Sequence, residues 1–173
     1  MTGWSLSRHL KALIHGRRRA RSESGMTKDS SGSTALVAME DTPRSSPLPF
    51  AGNEVEMLQR QCPLLHLRPE MPEPYTDAVL EAMKTCTVFH YAGYGSARFA
   101  NPSDSCILLK DWQSNALTVD RLHGIHTQDS RPFLAYLSAC ETKASDGVQL
   151  LDESLDLTSA FQLAGFRHVV GTL

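Results

Sequence analysis

The sequence predicts an α/β fold, a mostly parallel sheet flanked by helices. Three observations carry this. Short apolar runs of strand type recur along the chain, amphipathic segments with helical spacing separate them, and Pro, Gly and Ser clusters mark the joints. The runs are apolar throughout rather than alternating, as expected of strands covered on both faces.

The elements follow in order. Ala35-Leu36-Val37-Ala38-Met39 is a first buried strand, and residues 41–49 form a Pro/Ser loop. Beyond it Val55, Leu58 and Cys62 share one helical face, with Glu54, Glu56, Gln59 and Arg60 around it and Asn53 placed to cap the start. Leu64-Leu65-His66-Leu67 reads as a second strand, and residues 69–74 as a proline-rich loop. Thr76 or Asp77 can cap a helix carrying Val79, Leu80 and Met83, and residues 87–92 make a third strand. The β-α-β-α-β order is that of a parallel sheet.

After a loop at 95–104 comes a strand at 106–109. Asp111 and Trp112 then lead to Leu117-Thr118, where Thr118 can cap a helix with Val119, Leu122 and Ile125. Phe133-Leu134-Ala135-Tyr136-Leu137 is a buried strand running into Ser138-Ala139-Cys140-Glu141-Thr142. Residues 152–165 form a helix with Leu155, Leu157, Ala160, Phe161 and Leu163 inward and Gly165 as its stop. Residues 168–172 are a last strand.

Residues 1–34 have another character. Leu6, Leu10, Leu13 and Ile14 recur at helical spacing, Arg17-Arg18-Arg19 and Arg21 follow, and Ser, Gly and Thr then dominate. This reads as a basic, Ser-rich linker or disordered tail, with the ordered domain at 35–173. The arginine cluster is read as a solvated tail in preference to an import or polyanion patch.

Composition excludes several classes. The 173 residues suit one ordinary domain, and a net charge of -2 gives no reason to expect nucleic acid or an acidic membrane as partner. No apolar run approaches the roughly 20 residues of a bilayer span, and Arg8 and Lys11 interrupt any secretory pattern. Cys62, Cys86, Cys106 and Cys140 are scattered without CxxC pairing, against zinc and against a disulfide framework. Reduced thiols in a cytoplasmic protein are the expectation, with no metal and no cofactor. Cys140 differs by its place, since reactive groups gather where α/β strands end. A cysteine-bearing strand beside the histidine-bearing strand Thr87-Val88-Phe89-His90-Tyr91-Ala92 suggests a cysteine–histidine peptidase.

Four segments together carry a resemblance: His90-Tyr91-Ala92-Gly93-Tyr94-Gly95, Leu117-Thr118-Val119, Leu137-Ser138-Ala139-Cys140-Glu141-Thr142, and the stretch from Ala160 to Leu173. In order and spacing the chain resembles the CHAT domain, a caspase-like peptidase family of the caspase/separase clan, and most resembles fungal members. The resemblance implies a caspase-hemoglobinase-like fold with a His–Cys dyad at the carboxyl edge of the sheet. It implies a protein or peptide substrate or a signalling partner, and an upstream helical-repeat module in longer relatives. The family's nucleophile falls on Cys140. Its first motif usually carries a second histidine as catalytic base, and Tyr94 stands there instead; the motif's first histidine, mainly structural, is His90. Relatives also continue past Thr-Leu, so the domain is expected to be incomplete at its C-terminus.

Tyrosine is a poor substitute. It titrates near 10 and is never cationic, whereas imidazole titrates near 6.5 and can stabilise a thiolate. His90, fifty residues before Cys140, is the candidate substitute base, although a strand histidine is more often a hydrogen-bonded core residue. Gly93 and Gly95 flank Tyr94 and permit positive φ in a tight loop whose amides could bind an oxyanion. Glu141 can shape the loop after Cys140. Asp104, Asp111, Asp146, Asp152 and Glu153 give the cleft edge an acidic bias that scattered surface acids would equally produce. Two functional readings stand: a weakly active or inactive cysteine endopeptidase-like protein, and a non-catalytic signalling module (a pseudoenzyme) or truncated gene product.

Overall fold

The computed structural model describes residues 32–96, 101–125, 132–141 and 150–171, of which 102, 139–141 and 150–156 are described by backbone alone. Among the described residues, seven strands form one sheet: β1 (Gly32–Ala38), β2 (Leu67–Glu70), β3 (Val88–Ser96), β4 (Cys106–Leu108), β5 (Leu117–Thr118), β6 (Leu134–Glu141) and β7 (His168–Gly171). Four helices among these residues join them: α1 (Phe50–Gln61), α2 (Thr76–Thr85), α3 (Val119–His123) and α4 (Leu150–Leu163). The five main strands run parallel in the order β2-β1-β3-β6-β7. β6 pairs with β3 from Val88 to Gly95, so the antiparallel β4, paired at Tyr94 to Ser96, takes the other edge of β3 beyond the end of β1. The expected adjacency of the third and cysteine-bearing strands is borne out.

Handedness distributes the helices. β1 to β2 steps one way across the sheet, and the later crossovers step the other way. Right-handed connections therefore put α1 on one face and α2, α3 and α4 on the opposite one. The main core lies under the latter group. Phe89, Tyr91, Val37, Met39, Ala135 and Leu137 pack there against Val79 and Met83 of α2, Leu122 of α3 and Phe161 of α4. Phe89 stacks on Phe161 with ring centres 5.5 Å apart.

The element boundaries correct the sequence reading in several places. The expected strand at 64–67 is a 3-10 turn at Cys62–Leu65 with Pro63 in its first turn, closed by His66 at φ 57°; the strand itself is Leu67–Glu70. Pro69 sits within it because β2 is an edge strand whose free side needs no N–H. Asn53 does not cap α1, which already begins at Phe50 without a side-chain cap. Thr76 and Asp77 do not cap α2 either. Instead the Asp111 carboxylate accepts from the Thr76 amide at 3.1 Å and from the Thr76 hydroxyl at 3.1 Å, capping the helix from a distant turn. Thr118 does cap α3, its hydroxyl accepting from the Arg121 amide at 3.3 Å, though α3 stops at His123, before Ile125. α4 ends as expected at Gly165 (φ 107°), where Phe166 and Gly165 amides donate to Phe161 and Gln162 carbonyls in a Schellman closure. Leu163, expected inward, is exposed.

Candidate active site

In an open parallel sheet, ligands gather beyond the carboxyl ends of strands where the strand order reverses, here between β1 and β3. Tyr94 lies at that end of β3. In the β3–β6 ladder His90 pairs with Tyr136, Ala92 with Ser138 and Tyr94 with Cys140. The two positions the sequence singled out thus share one rung of the sheet. The Cys140 side chain, Glu141's role, residues 97–100, and Asp146, Asp152 and Glu153 lie outside the described residues or side chains.

The strand's period of two puts His90, Ala92 and Tyr94 on the α1 face and Phe89, Tyr91 and Gly93 on the core face. Tyr94 is 8 % exposed and packs with Cys106 and Leu108, under Leu48, Trp112 and Ala116. The Trp112 indole donates to the Pro43 carbonyl at 3.1 Å, joining the two loops that cover Tyr94. The turn bearing Trp112 is itself held by Asp111, so Asp111 is a helix-capping and turn-holding group and not part of an acidic cleft edge. Asp104 accepts from the Asn101 amide group at 2.9 Å.

The expected glycine loop is also corrected. Gly93 and Gly95 lie inside β3, and among the described glycines only Gly165 has positive φ. Gly93 is required for closeness. The Tyr91 side chain folds across it to donate to the Tyr94 and Leu108 carbonyls at 2.8 and 2.9 Å, and a Cβ at 93 would collide with that phenol and stand 2.9 Å from the Met39 Cβ. Burial pushes the Tyr91 hydroxyl far above its ordinary range, so it is a fixed donor.

His90 is 3 % exposed and stacks on Tyr136, ring centres 5.3 Å apart. Its Nε2 lies 3.3 Å from Glu54 Oε1, within ion-pair distance but without hydrogen-bond alignment, and neither atom has a hydrogen-bond partner among the described residues. The other carboxylate oxygen of Glu54 accepts from the Ser138 hydroxyl at 3.1 Å. Burial, and secondarily the Glu54 charge, raise the Tyr136 pKa. Glu54 is the residue that sequence reasoning missed. The available signal was its spacing: Ala51, Glu54, Val55 and Leu58 form an i, i+3, i+4, i+7 set, so the carboxylate falls within the buried stripe of α1.

The remaining thiols are inert by position. Cys62, Cys86 and Cys106 are buried. Burial raises the Cys62 pKa and pushes that of Cys86 up to about 12. His123 and His168 are exposed. No group of three or more His, Cys, Asp or Glu placed to hold a metal occurs among the described residues, and none of their helices is long and apolar enough to cross a membrane.

A mostly parallel sheet with helices on both faces is the α/β architecture of a caspase-like domain. The family model of the CHAT domain matches residues 4–173, and the chain belongs to this caspase-like family. No curated protein matches the chain significantly.

Proposed function

We propose that this CHAT-domain protein carries a cysteine-peptidase-like site that is weakly active or inactive as written, with Cys140 at the nucleophile position and Tyr94 in place of the base. The observation that supports it is the shared rung of Tyr94 and Cys140. Residue 94 stands across from the thiol-bearing position, and a buried phenol supplies no positive charge to hold a thiolate. His90 sits four residues earlier on β3, about 13 Å along a strand rising ~3.3 Å per residue, and faces Glu54. In this reading it is structural. The biological role is then a signalling or interaction module with a protein partner, in a reducing compartment such as the cytoplasm.

Alkylation by iodoacetamide tests the reading, because Cys62, Cys86 and Cys106 are buried. Wild-type Cys140 is expected to label slowly, and Tyr94→His to speed labelling at neutral pH at least about tenfold through a larger thiolate fraction. Fast wild-type labelling that His90→Ala abolishes in a folded domain would make His90 the working partner and overturn the proposal.

A further inference from the structure

We infer that Glu54 is a positioning residue for the strand end that bears Cys140, acting from α1 through Ser138 and His90. The inference concerns backbone placement and holds whether or not the chain cleaves peptides.

Among the described residues, β7 pairs with β6 as far as Leu137, opposite Gly171. From Ser138 to Glu141 the described residues give β6 a single strand neighbour, β3. At Ser138 the hydroxyl donates at 3.1 Å to the carboxylate of Glu54 on α1, the helix covering that face. The second oxygen of the same carboxylate faces His90 on β3 at 3.3 Å. One side chain thus reaches both strands of the rung ladder, two residues before Cys140 on β6 and four before Tyr94 on β3.

The energetics argue against simple stabilisation as its role. Glu54 lies in the buried stripe of α1, its side chain 23 % exposed, and one of its oxygens has no hydrogen-bond partner among the described residues. A carboxylate desolvated for one hydroxyl bond and one misaligned imidazole contact gains little net stability, and apolar replacements of similar volume are often neutral or stabilising at such sites. What leucine could not do is hold the Ser138 hydroxyl. The carboxylate therefore contributes geometry at the strand end.

Hydrogen exchange on the full chain reads this directly. Glu54→Leu and Ser138→Ala are each expected to raise exchange of the amides from 138 to 140 about tenfold, the loss of about 1.4 kcal/mol of local protection. The double variant should add nothing further, since both single changes remove one bond. Exchange in α2, on the opposite face, should stay unchanged, and the urea midpoint of Glu54→Leu should equal or exceed wild type. Glu54→Gln keeps an acceptor for Ser138 and should stay within about threefold of wild type. The inference is overturned if Ser138→Ala leaves the strand end protected, if Glu54→Gln loosens it as much as Glu54→Leu, or if exchange rises equally in α2, which would make Glu54 an ordinary contributor to global stability. If Glu54→Leu fails to fold, Ser138→Ala and Glu54→Gln decide by the same criteria.

Discussion

The two faces of β3 make opposite use of one strand. On the core face, Phe89 and Tyr91 are fully buried among aliphatic and aromatic side chains, and the Tyr91 hydroxyl donates to two carbonyls. On the α1 face, His90 is almost as buried, yet among the described residues its Nε2 and the Glu54 oxygen opposite it lack aligned hydrogen bonds. The core face is satisfied and apolar, as a stability-determining surface should be. The α1 face keeps polar groups that an apolar residue could replace without loss. The difference teaches where to look for function in this fold: selection for stability alone explains the first face and leaves the second unexplained.

The largest expected contrast comes from neighbouring residues. Phe89→Ala removes a ring that stacks on Phe161 and meets Phe166 at a tilt, and should cost about 3–5 kcal/mol by urea denaturation. His90→Ala removes a comparably buried ring from the other face but also relieves a poorly paired polar contact, and should cost only about 1–3 kcal/mol. Equal losses would dissolve the distinction between the faces.

Alkali sharpens it next. Cys86, on the core face, has its thiol pKa raised from 9.0 to about 12, chiefly by burial. A raised folded-state pKa means that the contribution is fully present below pH 9.0 and is lost as pH climbs toward about 12. Tyr91 and Tyr136, both raised above 10.0, add to the loss beyond that point. Urea midpoints should be unaffected by these groups up to pH 9 and decline above it, and Cys86→Ala should flatten the first part of the decline. A wild-type midpoint that stays level to pH 11 would show that the core face opens to solvent more readily than its packing implies.

The same contrast governs what was legible in the sequence. β1, β3 and β6 were readable because strands buried on both faces are apolar without interruption, and the Gly165 stop was readable because its left-handed φ asks for glycine. β2 was misplaced by a short apolar run that Pro63 and the left-handed His66 turn into a 3-10 segment. The start of α1 was missed because no side chain caps it, while Asn53 offered a false cap inside the helix. Cys140 and Tyr94 could be named as a pair through the resemblance to the family's motifs, and the register puts them on a common rung. Glu54 could not be named by the same route. Its partners are 36 and 84 residues away, brought near by a crossover, and local periodicity alone does not distinguish an inward carboxylate from one at the edge of the stripe.

The smallest effect lies at Gly95, and the two glycines beside Tyr94 divide by what each meets. Gly93→Ala forces the Tyr91 phenol off the strand and should cost about 1–3 kcal/mol as overpacking, with loss of the bonds to the Tyr94 and Leu108 carbonyls. Gly95→Ala places its methyl 3.4 Å from Leu157 Cδ1, an ordinary contact with a flexible side-chain end, and the residue is not left-handed. It should change stability by less than about 0.5 kcal/mol. Gly93→Ala should also slacken the antiparallel join to β4, seen as faster exchange at Tyr94 and Leu108, because the shared phenol proton ties those two strands together at that rung. Tyr91→Phe provides the control: it leaves the glycine alone, removes only the hydroxyl, and should reproduce the faster exchange without the overpacking loss. If Gly95→Ala proves as damaging as Gly93→Ala, backbone freedom rather than the close approach of Tyr91 is what this segment requires.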